Sequence, residues 1–133
     1  MPEKIDSVCI IDDDHVYINL VSKIIQLKNL SDNVIVFNNG REALDYFLTT
    51  IESSVDSEVP KIILLDLNMP IMDGWQFLEE FEKIQTKIPK NINLYVVSSS
   101  INKSDIERAR SKDVVLDYLT KPLKLQDFER ILV

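Results

Sequence analysis

Short, unbroken apolar runs alternate along the chain with longer stretches in which apolar residues recur every three or four positions. The runs are Val8-Cys9-Ile10-Ile11, Val34-Ile35-Val36-Phe37, Ile62-Ile63-Leu64-Leu65, Leu94-Tyr95-Val96-Val97, and Val114-Val115-Leu116 continuing to Leu119. Rich in β-branched residues and without polar alternation, they read as strands buried on both faces. Between them, Leu20, Ile24 and Leu27 fall at i, i+4, i+7, and Leu44, Phe47, Leu48 and Ile51 at i, i+3, i+4, i+7. Phe77, Phe81 and Ile84 repeat the first spacing, Ile106 and Ala109 mark a fourth helix, and Phe128, Ile131 and Leu132 a fifth over about Leu125 to Val133. These are the apolar stripes of amphipathic helices. Strand and helix alternate five times, which predicts an α/β fold with a parallel sheet covered by helices on both faces. Right-handed crossovers leave a doubly wound five-stranded sheet of order 2-1-3-4-5 as the usual solution at this size.

Composition narrows the classes of function. The 133 residues suit one domain, spanning 1-133, with no output domain expected in this polypeptide. No apolar run approaches the ~20 residues needed to span a bilayer, and no basic start precedes an apolar stretch, so a cytoplasmic protein without membrane insertion is expected. With 15 Lys+Arg against 22 Asp+Glu, the net charge is -7, which disfavours direct binding to nucleic acid. One Cys and one His exclude a disulfide framework and a Cys/His zinc site within one chain. The two glycines, Gly40 and Gly74, cannot supply a glycine-rich phosphate loop. The polar stretch Thr49 to Glu58 reads as a mobile loop, and Asn38-Asn39-Gly40 as a turn and cap for the second helix.

In an open parallel sheet, ligands bind beyond the carboxyl ends of the strands, where strand order reverses. Asp12, Asp13 and Asp14 follow strand one, Asp66 and Leu67-Asn68-Met69-Pro70 follow strand three, Ser98, Ser99 and Ser100 follow strand four, and Lys121-Pro122 follows strand five. Strands one and three are neighbours in the expected order, so their carboxylates crowd together. Crowded like charges call for a cation, and carboxylate, carbonyl and water oxygens suit Mg²⁺, with Mn²⁺ as a substitute. A lysine and a hydroxyl beside one carboxylate suit a phosphoryl group, and the carboxylate can itself be the nucleophile.

The segments IIDDD at 10 to 14, LLDLNMPIMDG at 64 to 74, VVSSS at 96 to 100 and DYLTKP at 117 to 122 together resemble the receiver domain of two-component response regulators, over essentially the whole chain. The resemblance implies the flavodoxin-like (βα)5 fold and a signalling domain that accepts phosphate rather than a dedicated enzyme. Asp66 would be the phosphoacceptor, and Asp12 and Asp13 would hold Mg²⁺ with Asp66 and the backbone carbonyl of Asn68. Ser98 would bond the phosphoryl group, Lys121 would pair with one of its oxygens, and Tyr118 would be the switch aromatic. The Lys121-Pro122 bond is often cis in the family. The phosphoryl donor would be a sensor histidine kinase or a histidine phosphotransfer protein. The receiver would act on a separate downstream protein, and a homodimer through helix four, strand five and helix five is left open.

One departure concerns the hydroxyl. Counting back from Lys121 without a gap selects Ser99, whereas one extra residue around Ser111 to Val114 restores Ser98. Plainer readings stand beside these roles: Asp14 as the cap of helix one, His15 as an exposed residue of its first turn, Cys9 as strand filling and Trp75 as packing. Two other functions compete. DDDHV at 12 to 16 also fits the motif of haloacid-dehalogenase-like phosphatases, with Asp12 as nucleophile and Asp14 as acid/base. The other is a receiver-shaped binding module that never carries phosphate.

Overall fold

The structure, a computed structural model, describes residues 7–53, 59–88 and 91–132. Five strands, β1 (Val8–Ile11), β2 (Val34–Phe37), β3 (Ile62–Leu65), β4 (Asn93–Ser98) and β5 (Val115–Thr120), alternate with helices α1 (His15–Leu27), α2 (Gly40–Ser53), α3 (Gly74–Ile84), α4 (Lys103–Arg110) and α5 (Leu125–Leu132). All strand pairs are parallel, in the expected order β2-β1-β3-β4-β5.

Side-chain alternation along each strand divides the core in two. Cys9, Ile11, Ile63, Leu65 and Val96 pack against α2, α3 and α4. Val8, Ile10, Ile62, Leu64 and Val97 pack against α1 and α5. The central strands β1 and β3 are buried throughout, whereas β2, at the edge of the sheet, is only half-buried.

Three expectations are corrected. In α1 the stripe facing the sheet is Tyr17, Ile18, Val21 and Ile25. Leu20 and Leu27 are 50% and 74% exposed and Ile24 only half-buried, since this helix carries two apolar stripes and spacing alone does not say which one meets the sheet. Thr49 to Ser53 belong to α2, where the Thr49 and Thr50 hydroxyls donate back to the carbonyls of Asp45 and Tyr46; the rest of the expected loop, 54–58, lies outside the described residues. The extra residue sits within β5 itself. Leu94 pairs with Val115 but Tyr95 with Asp117, so Leu116 is bulged out and exposed.

That bulge resets which way the strand's later residues face. Val115 and Tyr118 both reach the α2-α3-α4 side, although three positions apart, and Leu119 reaches the α1-α5 side. Lys121, two residues beyond Leu119, thereby comes to the same side as Asp12 and Asp66, which stand two residues beyond Ile10 and Leu64.

Candidate functional site

The backbone ladder runs one residue past the strands. The Asp12 N–H donates to the Phe37 carbonyl at 2.9 Å, Asp66 N–H to Ile11 at 2.9 Å and Lys121 N–H to Ser98 at 2.9 Å. Three polar side chains are thus delivered to the carboxyl ends of β1, β3 and β5, at one edge of the sheet. Carboxylate oxygens of Asp12, Asp13 and Asp66 lie within 4.8 Å of one another. Asp12 and Asp66 are buried, while Asp13 faces solvent.

Lys121 enters from β5. Its Nζ stands 2.7 Å from Asp12 Oδ2 and 3.8 Å from Asp66 Oδ2. Beneath it lies the ring of Tyr17, 4.4 Å from Nζ to the ring centroid. The Lys121-Pro122 bond is cis.

Burial pushes the Asp66 carboxyl up to about 6, and the negative charge of Asp12 adds to the rise; Lys121 and the N–H groups of Leu67 and Asn68 oppose it. Burial also raises Asp12, against the pull of its contact with Lys121. Two buried carboxylates so close repel each other, and a divalent cation with oxygen preference relieves that repulsion. The three oxygens fit such an ion: a hard donor set, two members sunk in the protein and one open to water.

The loop after β3 fixes Asp66. Its Oδ1 accepts from the N–H of Leu67 at 2.9 Å. Ile71 adopts φ 68, and around it the Met72 N–H donates to the Pro70 carbonyl at 2.7 Å, a strained three-residue turn. The Met72 carbonyl in turn accepts from Gly40 N–H at 2.9 Å. Gly74 opens α3 against this loop; a Cβ there would stand 2.3 Å from the Asp66 carbonyl oxygen and 2.7 Å from the Leu67 Cα. In the sequence Gly74 stood out as one of two glycines and as the end of the segment 64 to 74, without a structural role assigned to it. Its place eight residues after Asp66, at a helix start, is the signal that was available.

Asp14 caps α1, accepting from the Tyr17 N–H at 3.1 Å, and His15 is exposed in the first turn. Asp14 is therefore spent on the helix and is no partner in acid-base work with Asp12. Asn68 is exposed, with its N–H directed at Asp66.

On the β4 side, Ser98 is fully buried and its Oγ accepts from the Ser100 N–H at 3.2 Å. Ser99 is exposed and lines a cavity of about 400 Å³ with Tyr17, Lys121 and Phe128. Tyr118, also buried, donates its hydroxyl to the Ser100 carbonyl at 2.7 Å. The Ser100 hydroxyl reaches Asp105 of α4 at 2.8 Å. Ser98, Tyr118 and α4 therefore meet at one residue, Ser100. Tyr17 was missed as a site residue, although its i, i+4, i+8 spacing with Val21 and Ile25 was legible.

Among the described residues, no helix is long and apolar enough to cross a membrane. The family model of the response regulator receiver domain matches residues 8–132. A two-component response regulator from Cytophaga hutchinsonii superposes with a TM-score of 0.84 at 27% identity, covering 96% of this chain and 94% of that one. The phosphorylated cyanobacterial phytochrome response regulator RcpA gives 0.77 at 30% identity, over 96% and 89%. Response regulator Rcp1 of Synechocystis sp. is 29% identical over 90% of this chain and 79% of its own length. Its Mn²⁺-bound structure matches with a TM-score of 0.74 at 27% identity, covering 95% and 88%.

Proposed function

The chain belongs to the receiver-domain family of two-component response regulators, and from that premise we propose that Asp66 is its phosphoacceptor, with Mg²⁺ as the ion beside it. Family membership makes the domain a signalling module that takes phosphoryl groups from histidine kinases. The finer reading concerns the residues. Asp12, Asp13, Asp66 and the backbone carbonyl of Asn68 would hold the ion. When bound, Mg²⁺ neutralises charge building on the phosphoryl oxygens.

The Asp66 carboxylate forms a bond to phosphorus as the bond from phosphorus to the donor's imidazole nitrogen breaks, and that nitrogen keeps the electron pair. Lys121 pairs with a phosphoryl oxygen. Ser98 swings its hydroxyl toward the new group, releasing Ser100 and with it Tyr118 and the start of α4. The protein supplies position and charge, without a dedicated base. The altered surface of α4, β5 and α5 is then read by a downstream target.

One observation carries this reading: the three carboxylates within 4.8 Å of one another, with the Lys121 ammonium 2.7 Å from one and 3.8 Å from another. Incubation with acetyl phosphate and Mg²⁺ is expected to add one phosphoryl group per chain, removable by hydroxylamine and absent from Asp66→Asn. A label that persists in that variant moves the acceptor elsewhere. Comparing Ser98→Ala with Ser99→Ala identifies the hydroxyl: the former is expected to alter label acquisition, the latter not.

A further inference from the structure

We infer that Tyr17 is a positioning residue, whose ring face holds the Lys121 ammonium over Asp12 and Asp66. This inference rests on the reading of Lys121 given above and adds a residue to it.

Lysine ends in a compact charge on a flexible four-carbon arm. It needs guides to stay in one place, and one side of this arm is open. The cavity of about 400 Å³ between α1 and the segment after β5 is walled by Val16, Leu20 and Phe128 and reaches both Lys121 and Tyr17. Into that space the arm can swing away from the carboxylates. The Tyr17 ring lies 4.4 Å from Nζ and presents the negative side of its quadrupole to the charge. Asp12 at 2.7 Å and Asp66 at 3.8 Å complete the set of guides.

The ring, rather than the hydroxyl, is the working part. Tyr17 is only 7% exposed, and its hydroxyl is buried with no hydrogen-bond partner among the described residues. A buried hydroxyl without a partner costs stability, so nothing in packing favours it over a plain ring. Tyr17 is itself well placed: its N–H is bonded to the Asp14 cap, and α1 buries it on the sheet side. Once Asp66 carries a phosphoryl group, the ammonium serves the phosphoryl oxygens as well as Asp12. The ring keeps it within reach of both while the interaction with Asp12 loosens.

Two substitutions separate ring from volume. Tyr17→Met keeps apolar bulk and removes the π-face; Tyr17→Phe keeps the face and removes the hydroxyl. With acetyl phosphate and Mg²⁺ in excess, Tyr17→Phe is expected to label as fast as the parent and to melt no lower. Tyr17→Met is expected to label about three- to tenfold more slowly, within the range of a lost cation–π contact. Equal rates for Met and parent, or equal loss in Phe and Met, overturn the inference.

A second readout is independent of chemistry and of how well the Met variant folds. The Lys121 ε-protons, assigned by their loss in Lys121→Arg, are expected upfield of the other lysines in the parent and in Tyr17→Phe, because they sit over the ring. Unshifted ε-protons overturn the inference as well. The two failures are separable: label surviving in Asp66→Asn removes the acceptor, whereas the Phe–Met contrast and the ε-proton position judge Tyr17.

Discussion

Helices α3 and α4 cover the same face of the sheet, side by side, and are held there by different forces. α3 buries Gly74, Phe77, Leu78 and Phe81, and starts with a reciprocal cap between Asp73 and Gln76. Its phenylalanines join Phe47 of α2 in a ring cluster, with centroids 5.4 Å apart for Phe77–Phe81 and 5.4 Å for Phe47–Phe81. α4 buries only Ala109, with Ile106 half-buried. Its remaining ties are polar: Ser100 to Asp105 at 2.8 Å, the Arg108 guanidinium 4.1 Å over the Trp75 ring, and Arg110 to Asp117 at 3.5 Å. Burying several large side chains is worth several kcal/mol, and moving a charge nearby barely changes it. Exposed polar ties are worth about 1 kcal/mol or less each and respond to charge. The helix that frames Asp66 is thus held by the insensitive force, and the helix beside the Ser98–Tyr118 pair by the sensitive one.

The largest expected effect breaks the insensitive side. Gly74→Ala places a Cβ 2.3 Å from the Asp66 carbonyl oxygen, with backbone rather than a yielding side chain as the obstacle. Either α3 lifts or the loop after β3 moves. A loss of about 3 kcal/mol is expected. Urea unfolding checks it, and phosphoryl uptake is expected to fall with it because Asp66 shares that backbone. A substitution absorbed without loss would show that α3 is not held as tightly as its burial implies.

The next effect comes from charge stored against that rigid frame. Burial, and then Asp12, raise the Asp66 carboxyl to about 6 from 3.8. The folded protein therefore binds this proton more tightly than the unfolded chain. The stability due to the bound proton is complete below about pH 4 and is lost as pH rises through about 6, so the ionised group weakens the metal-free fold at pH 7. A rise from 3.8 to about 6 corresponds to about 2 to 3 kcal/mol. Without metal, Asp66→Asn is expected to gain part of this at pH 7 and to flatten the slope between pH 4 and 7. Added Mg²⁺ is expected to raise the melting temperature of the parent and to do so less in the variant. A parent that grows more stable from pH 4 to 7 by more than Asp66→Asn does would reverse the sign.

The insensitive parts were also the legible ones. Strands β1 and β3 are unbroken apolar runs, and their pairing brings Asp12 and Asp66 together without further information. Less could be read where composition and geometry part. The Leu116 bulge adds a residue without altering the apolar pattern, so it surfaced only as a count that failed to reconcile Ser98 with Lys121. In α1 two apolar stripes compete, and the choice between them depends on which side the crossover packs. Tyr17 lies on the stripe that the reading through Leu20, Ile24 and Leu27 passed over, and its contact with Lys121 joins residues far apart in sequence. In α4 the sequence showed only Ile106 and Ala109, which do pack on the core, and its polar ties are visible only once Ser100, Trp75 and Asp117 are in place.

The smallest expected effect tests the sensitive side. Trp75 is the one tryptophan in the sequence, and Arg108 reaches it from α4. Arg108→Ala removes the ion over the ring and leaves the apolar contacts of both helices intact. Its cost in stability is expected to stay at or below about 1 kcal/mol. Its spectral effect is expected to be clear, because a cation at 4.1 Å perturbs the indole's emission. Acetyl phosphate with Mg²⁺ is expected to change Trp75 fluorescence in the parent and to leave it nearly constant in Arg108→Ala, since in the parent the signal reports the distance between the helices. An unchanged response in the variant would mean that the indole senses the site through α3, and α4 would then lose its claim to be the helix that moves.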